Sequence, residues 1–278
     1  MSQVNMLIKS IILGIIQGLT EFLPISSSGH LVICKSLLDM ETQGVIWEIA
    51  LHFSTLLAII GVFYKDIFMI LKSACLSCKK LFSGESIINI FKNDPLTRIF
   101  LLIIIGTIPT VIIAFSFRNA FESLFNKPGI AGYMLIVTGT MLWFTKYDLR
   151  ANSNKKNLGI SDALIIGAVQ GLAITPGISR SGTTIATATF RGVDRETAAR
   201  FSFLLVIPVI LGAMAMMAKD TITLKNEEIS YLLIGSVVAL ITGYISLRIL
   251  IRIVNNGKLH LFSYYCWPAG LFVIFDFI

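Results

Sequence analysis

The side chains able to do chemistry in this chain crowd into two short stretches. The first, QGLTEFLPISSSGH (17–30), holds a carboxylate, Glu21, three consecutive hydroxyls, Ser26, Ser27 and Ser28, and an imidazole, His30. Glu21 can act as a base or hold a divalent cation, the serines can attack or donate to phosphate oxygens, and His30 can donate, accept or attack. The second stretch is TPGISRSGTT (175–184). There Gly177 and Gly182 let the backbone bend and expose N–H groups, Ser179, Ser181, Thr183 and Thr184 supply hydroxyls, and Arg180 supplies a planar five-donor cation. A helix beginning at IATATF (185–190) would add the positive end of its dipole. These are the parts of a phosphate cradle. The same residues also suit a Ser/Gly helix-packing turn with a snorkelling Arg, and the motif alone leaves both open.

The elements that must position these groups lie in a bilayer. Of 278 residues, 55% are hydrophobic and 14% charged, and the mean hydropathy is +0.81, outside the range of ordinary soluble domains. A helix needs about 20 apolar residues to cross the hydrocarbon core, and six runs qualify: 44–64, 98–117, 129–144, 201–218, 231–251 and 260–278. Pro109 and Pro208 fall inside two of them, as membrane helices tolerate. The N-terminal run resembles a secretory signal, but Gln17, Glu21 and His30 follow where a small-residue cleavage site would stand, so the segment is predicted to be retained. Cys34, Cys75, Cys78 and Cys266 form no disulfide framework, and the one CxxC lacks the second ligand pair of a zinc site.

Lys and Arg are retained on the cytoplasmic side of short loops. The basic loops 65–97 and 146–159 therefore read as cytoplasmic, 118–128 and 219–228 as outside, 252–258 as inside, and both termini as outside. The net charge of +7 then faces anionic lipid, and nucleic acid is not needed as a partner. The loop 65–97 reads as a surface helix or linker, and Asp194 in RGVDRETAAR (191–200) as a helix N-cap. Glu48 and His52 lie four apart on one helical face, and either border the cavity or satisfy each other.

The two chemical stretches are copies of each other. LGIIQGLTEFLPISSSGH (13–30) lies over IGAVQGLAITPGISRSGT (166–183), matching Gln17-Gly18-Leu19 with Gln170-Gly171-Leu172, Ile25-Ser26 with Ile178-Ser179, and Ser28-Gly29 with Ser181-Gly182. HFSTLL (52–57) is echoed by RFSFLL (200–205). An odd number of spans, three, separates the copies, so the second enters the membrane from the opposite face. This predicts an all-α polytopic membrane protein with an inverted-topology repeat, six transmembrane helices plus two re-entrant segments whose broken tips meet near the midplane. The organisation is 1–145 for the first repeat, 146–159 for a cytoplasmic linker and 160–278 for the second repeat.

The pair QGLTEFLPISSSGH and PGISRSGTT resembles the undecaprenyl-diphosphate phosphatases of the BacA/UppP type, whose signatures are (E/Q)xxxE and PGxSRSGxT. Gln17 with Glu21 fits the first, and residues 176–184 fit the second at every fixed position. The likeness extends over essentially the whole chain. It implies an inner-membrane hydrolase that removes the terminal phosphate of undecaprenyl diphosphate and returns the monophosphate carrier to peptidoglycan synthesis, its site opening to the periplasmic face. By that resemblance Glu21 helps bind a divalent cation, Mg²⁺ or Ca²⁺, Ser27 and His30 are the candidate nucleophile and its helper, and Arg180 grips the diphosphate. Gln17, Ser26, Ser28, Ser179, Ser181, Gly182 and Thr183 match substrate-binding positions. Many members carry a first Glu where this chain has Gln17, which can coordinate through its carbonyl but adds no negative charge to a metal site. The expected partners are the lipid substrate and membrane lipids, with a homodimer left open. The rival class is a transporter or flippase of a polyprenyl phosphate, since broken helices meeting at the midplane are also a transporter architecture.

Overall fold

The structure, a computed structural model, describes residues 3–37, 45–84, 86–125, 127–147, 157–217 and 226–277. Among the described residues the secondary structure is helical, with no strand. In chain order the helices are α1 (Gln3–Phe22), α2 (Ser27–Leu37), α3 (Val45–Phe82), α4 (Ile87–Asn93), α5 (Pro95–Ser116), α6 (Arg118–Phe125), α7 (Pro128–Phe144), α8 (Ile160–Leu172), α9 (Arg180–Phe190), α10 (Arg195–Met217), α11 (Asn226–Asn255) and α12 (Ser263–Phe277). Among them α3, α5, α7, α10 and α11 are long and apolar enough to cross a bilayer, which makes this a multi-pass membrane protein. Most of the predicted linker and of the 219–228 loop lies outside the described residues.

Two features depart from the sequence-based expectation. The run 260–278, predicted as a sixth span, forms the 15-residue α12 behind a 3-10 turn at Leu259–Phe262. At 1.5 Å per residue α12 alone covers about 22 Å, short of a core about 30 Å thick. The first predicted span does not stop at Tyr64: α3 bends at Phe63 (φ −104°, ψ 18°) and continues to Phe82, absorbing half of the predicted 65–97 loop. Beyond the bend Asp66 pairs with Arg200, tying α3 to α10.

Helix starts follow their capping residues. Asp94 accepts from the amides of Leu96 and Thr97 ahead of Pro95 at the first helical position of α5. Burial opposes its charge, but donation from Ser73 and Thr97 holds the carboxyl below the usual range. Asp194 caps α10 through the Thr197 amide at 3.0 Å.

Close backbone approach organises the bundle. Gly14 and Gly18, a GxxxG pair on α1, press that helix onto α11, and Gly167 and Gly171, at equivalent positions on α8, press it onto α5. A methyl group on Gly18 would sit 2.0 Å from Thr242 Oγ1, and one on Gly167 would sit 1.9 Å from the Gly106 carbonyl oxygen. A threonine stands at each contact: Thr242 Oγ1 donates to the Val238 carbonyl of its own helix and lies 3.4 Å from the Gly14 carbonyl, and Thr110 Oγ1 donates to the Gly167 carbonyl at 2.7 Å. Helix α7 lies on α12, and α3 lies among α5, α10 and α11. Between them a buried aromatic core joins Phe22 to Phe203, ring centroids 5.9 Å apart, and Phe203 to Phe63.

Gly167→Ala is expected to lower stability by about 1–3 kcal/mol, because the added methyl meets backbone that cannot move aside. Gly212→Ala on α10, where nothing lies within 4 Å, is expected to be neutral or slightly stabilising. Thermal melting of both variants in detergent checks the contrast; equal melting temperatures would remove the α5/α8 contact as a determinant.

Candidate active site

Both chemical stretches are turns between two helices. Helix α1 ends at Phe22, the chain turns over residues 23–26, and α2 starts at Ser27; α8 ends at Leu172 and α9 starts at Arg180. The turns need unusual backbone. Gly177 has φ 93°, which a glycine adopts freely, whereas Ser26 has φ 69°, a left-handed conformation that a side chain makes costly. The helices that follow are capped alike, Ser26 Oγ accepting from the Gly29 amide at 3.3 Å and Ser179 Oγ from the Gly182 amide at 3.2 Å.

The tips hold each other. The Gly177 amide donates to Ser26 Oγ at 3.1 Å, and Ser181 Oγ donates to the Phe22 carbonyl at 2.8 Å. Each tip is also held from behind. On α7, Thr138 Oγ1 donates to the Gly177 carbonyl and accepts from the Ser179 amide. On α12, Cys266 Sγ reaches the Pro24 carbonyl and Tyr265 meets His30.

Glu21 is the hub, its side chain only 5% exposed. Arg180 Nη2 donates to Oε1 in a charge-assisted contact. Ser27 Oγ donates to Oε2 at 2.7 Å and Gln17 Nε2 donates to the same oxygen at 3.1 Å, with His52 Nε2 3.8 Å from it. The second Arg180 nitrogen, Nη1, is buried and has no hydrogen-bond partner among the described residues. In a folded protein such a donor is costly, and an anion would satisfy it.

These groups face a cavity of about 570 Å³. Of the residues singled out in the sequence, Glu21, Ser26, Ser27, Ser28, Ser179 and Arg180 line it. Gln17, Ser181, Gly182 and Thr183 are buried behind it and shape the tips: Gln17 orients Glu21, while Thr183 Oγ1 turns back to the Ser179 carbonyl. His30 is not among the lining residues; its ring nitrogens are engaged by the Ser26 carbonyl and the Tyr265 hydroxyl. His52 does line the cavity, and the side chain of Glu48 lies outside the described residues. Gln170, Glu122 and Phe125 complete the polar end and rim. Gln170 was legible as the repeat mate of Gln17, whereas Glu122 and Phe125 come from α6, a short helix with no motif. The other walls are apolar, from Ile49, Ile178, Val206, Ile210 and Met214.

The described residues contain no group of three or more His, Cys, Asp or Glu side chains placed to hold a metal ion. Both oxygens of Glu21 already accept from Arg180, Ser27 and Gln17. Beside this carboxylate the Oε1 atoms of Gln17 and Gln170 are buried and have no hydrogen-bond partner among the described residues.

A buried carboxylate holding a serine hydroxyl, beside an arginine with a free donor, in an apolar cavity inside a helical membrane protein, defines a membrane-embedded site for an anionic group on an apolar molecule. The profile of the family described as bacitracin resistance protein BacA matches residues 10–272, and the chain belongs to that family. It is 43% identical over 268 residues to the undecaprenyl-diphosphatase of Desulfatibacillum aliphaticivorans, covering 96% of this chain and 97% of that protein. It is 43% identical over 269 residues to the protein of the same name from Alkaliphilus metalliredigens, with 96% and 97% coverage, and 42% identical over 272 residues to that from Methanosphaera stadtmanae, again with 96% and 97%.

Arg180→Lys keeps a charge but loses the second planar donor, and is expected to lower turnover of a diphosphate substrate about a hundredfold, the worth of one desolvated charge-assisted contact. Arg180→Ala should lose more and also melt earlier, because it leaves Glu21 charged and unpaired. Near wild-type turnover by Arg180→Lys would reduce the arginine to a point charge.

Proposed function

We propose that the chain is an undecaprenyl-diphosphate phosphatase, releasing inorganic phosphate and undecaprenyl phosphate. The observation that carries the reading is the pairing in one cavity of Ser27 Oγ, hydrogen-bonded to Glu21, with the free Nη1 of Arg180. The lipid tail needs no aqueous pocket, and the apolar walls give it a path into the bilayer.

The terminal phosphate oxygens bind Arg180. Ser27 Oγ attacks the terminal phosphorus while Glu21 takes its proton, and the bond from phosphorus to the bridging oxygen breaks, its electron pair leaving on undecaprenyl phosphate. Water then attacks the phosphoserine; Glu21 returns its proton to Ser27 Oγ, and the water proton remaining ends on inorganic phosphate. Carrying a phosphate across a membrane requires no serine bonded to a base, which is why hydrolysis is favoured over transport. The Mg²⁺ or Ca²⁺ expected from the resemblance would supply charge neutralisation for the diphosphate, and no step in this reading depends on a cation held by the protein.

The architecture proposed around this site is the inverted repeat, six crossing segments with α12 and its leading turn as the sixth, and two re-entrant pairs, α1/α2 and α8/α9. The halves are 1–145 and 160–278, joined by 146–159. Support comes from contacts that recur after exchange of the halves: α1 on α11 against α8 on α5, Thr242 to Gly14 against Thr110 to Gly167, and the Ser26 cap against the Ser179 cap. The reading puts the protein in the cytoplasmic membrane with the cavity open to the outer face, an orientation supported by the basic loops 65–97 and 146–159 on the cytoplasmic side. A homodimer is compatible with this arrangement and not required by it.

Purified protein in detergent, where no second compartment exists, should release phosphate from undecaprenyl diphosphate; a transporter would release none. Acid quenching with substrate labelled in the terminal phosphate should trap an acid-stable phosphoserine at Ser27, absent from Ser27→Ala. Label that stays entirely in water-soluble phosphate while Ser27→Ala keeps its rate would make water the nucleophile.

Titration of Mg²⁺ or Ca²⁺ into substrate-free protein should give no saturable binding in the micromolar range, with a cation requirement appearing only alongside diphosphate. Micromolar binding abolished by Glu21→Gln would instead establish a protein-held metal.

A further inference from the structure

We propose that Tyr265 and His30 form a positioning relay that holds Ser26 in its left-handed conformation and thereby aims Ser27 at the substrate. This rests on Ser27 as nucleophile. Ser26 is the described non-glycine residue with positive φ, and it immediately precedes Ser27. A conformation of that kind persists only when its surroundings over-determine it. Here they do: the Ser26 hydroxyl accepts from the Gly177 and Gly29 amides, while its carbonyl accepts from both the amide and Nδ1 of His30, the latter at 2.8 Å.

The histidine is committed to that carbonyl. A carbonyl oxygen only accepts, so Nδ1 carries the proton; in the neutral ring Nε2 then accepts, and the Tyr265 hydroxyl lies 2.7 Å away to donate. The two rings also stack, centroids 5.7 Å apart and 18° from parallel. With both nitrogens engaged and the ring off the cavity wall, no lone pair of His30 is directed at a phosphorus bound between Ser27 and Arg180. The next residue, Cys266, reaches the Pro24 carbonyl of the same tip. Helix α12 thus braces the nucleophile's turn as α7, through Thr138, braces the arginine's turn. Tyr265 belongs to neither chemical stretch, and only the fold brings it within reach, 235 positions from His30.

The test separates positioning from acid–base or nucleophilic chemistry at His30. Asparagine places its amide close to where Nδ1 stood and can donate to the Ser26 carbonyl, but cannot attack phosphorus or titrate near neutrality. A misplacement of about 1 Å costs on the order of a hundredfold, so His30→Ala should lose about that in kcat, while His30→Asn stays within about tenfold of wild type and KM is unchanged in both. Tyr265→Phe keeps the stack and loses the hydroxyl, and should lower kcat about five- to tenfold at unchanged KM, the smaller loss expected one bond further from the nucleophile. In the double variant with His30→Asn, Tyr265→Phe should add nothing, because the hydroxyl no longer has a ring nitrogen to hold. The asparagine arm stands alone if Tyr265→Phe does not accumulate in the membrane. His30→Asn as inactive as His30→Ala, or additive losses in the double variant, would overturn the relay. Phosphoserine trapped at Ser27 alongside either result would leave the proposed function standing, whereas an acid-labile phosphohistidine at His30 would end both.

Discussion

The ion pair between Glu21 and Arg180 is the constraint on which the rest of the structure depends. It joins two turns that are far apart in the chain and brings opposite charges together where water is scarce. Desolvating either charge alone costs several kcal/mol, and the attraction offsets this only if the remaining lone pairs and protons are also satisfied. Glu21 meets that condition through Ser27 and Gln17. Arg180 does not, since Nη1 is left over. The carboxylate carries three donors while the guanidinium keeps Nη1 over, which leaves a donor open to an incoming anion.

For those charges to meet, two breaks in helical backbone must be buried next to each other, and a bilayer permits this only where protein satisfies the exposed amides and carbonyls. The serines do this work. Ser26 and Ser179 cap the helices that follow, and Ser26 and Ser181 reach across to the opposite tip. The approach is made possible further back, where α1 and α8 lie so close to their partner helices that a single methyl would collide with backbone or a half-buried hydroxyl. Between membrane helices there is little hydrophobic driving force, so intimate packing of this kind must fix the geometry.

An apolar cavity with a few fixed polar groups suits phosphoryl transfer from a lipid. In the mechanism proposed, the arginine in such surroundings acts with little screening on developing phosphate charge, and its contact with Glu21 orients it beforehand. In the same mechanism the attacking hydroxyl of Ser27 and the Glu21 carboxylate that takes its proton are likewise hydrogen-bonded beforehand. Rigidity of the first tip therefore matters as much as its composition, and the strain at Ser26 shows where the fold maintains it.

Membrane character, the two chemical tips and their kinship were legible in the sequence, because hydropathy over long runs and a repeated motif are local signals. So was the identity of the residues around Glu21, since only a few ionisable groups occur within apolar segments. The GxxxG pairs at Gly14 and Gly167 were present in the letters too, but the helices they would face were not. Run length failed where helix ends are set by context: α3 passes its bend at Phe63 and continues beyond Asp66, which pairs with Arg200, and α12 starts late behind a 3-10 turn. Above all, a list of candidates cannot say which way a side chain turns. His30 and His52 are both histidines near the first tip, yet one is drawn to Ser26 and Tyr265 while the other lines the cavity beside Glu21. That choice is made by hydrogen-bond partners contributed from distant helices, and only the tertiary structure brings those partners within reach.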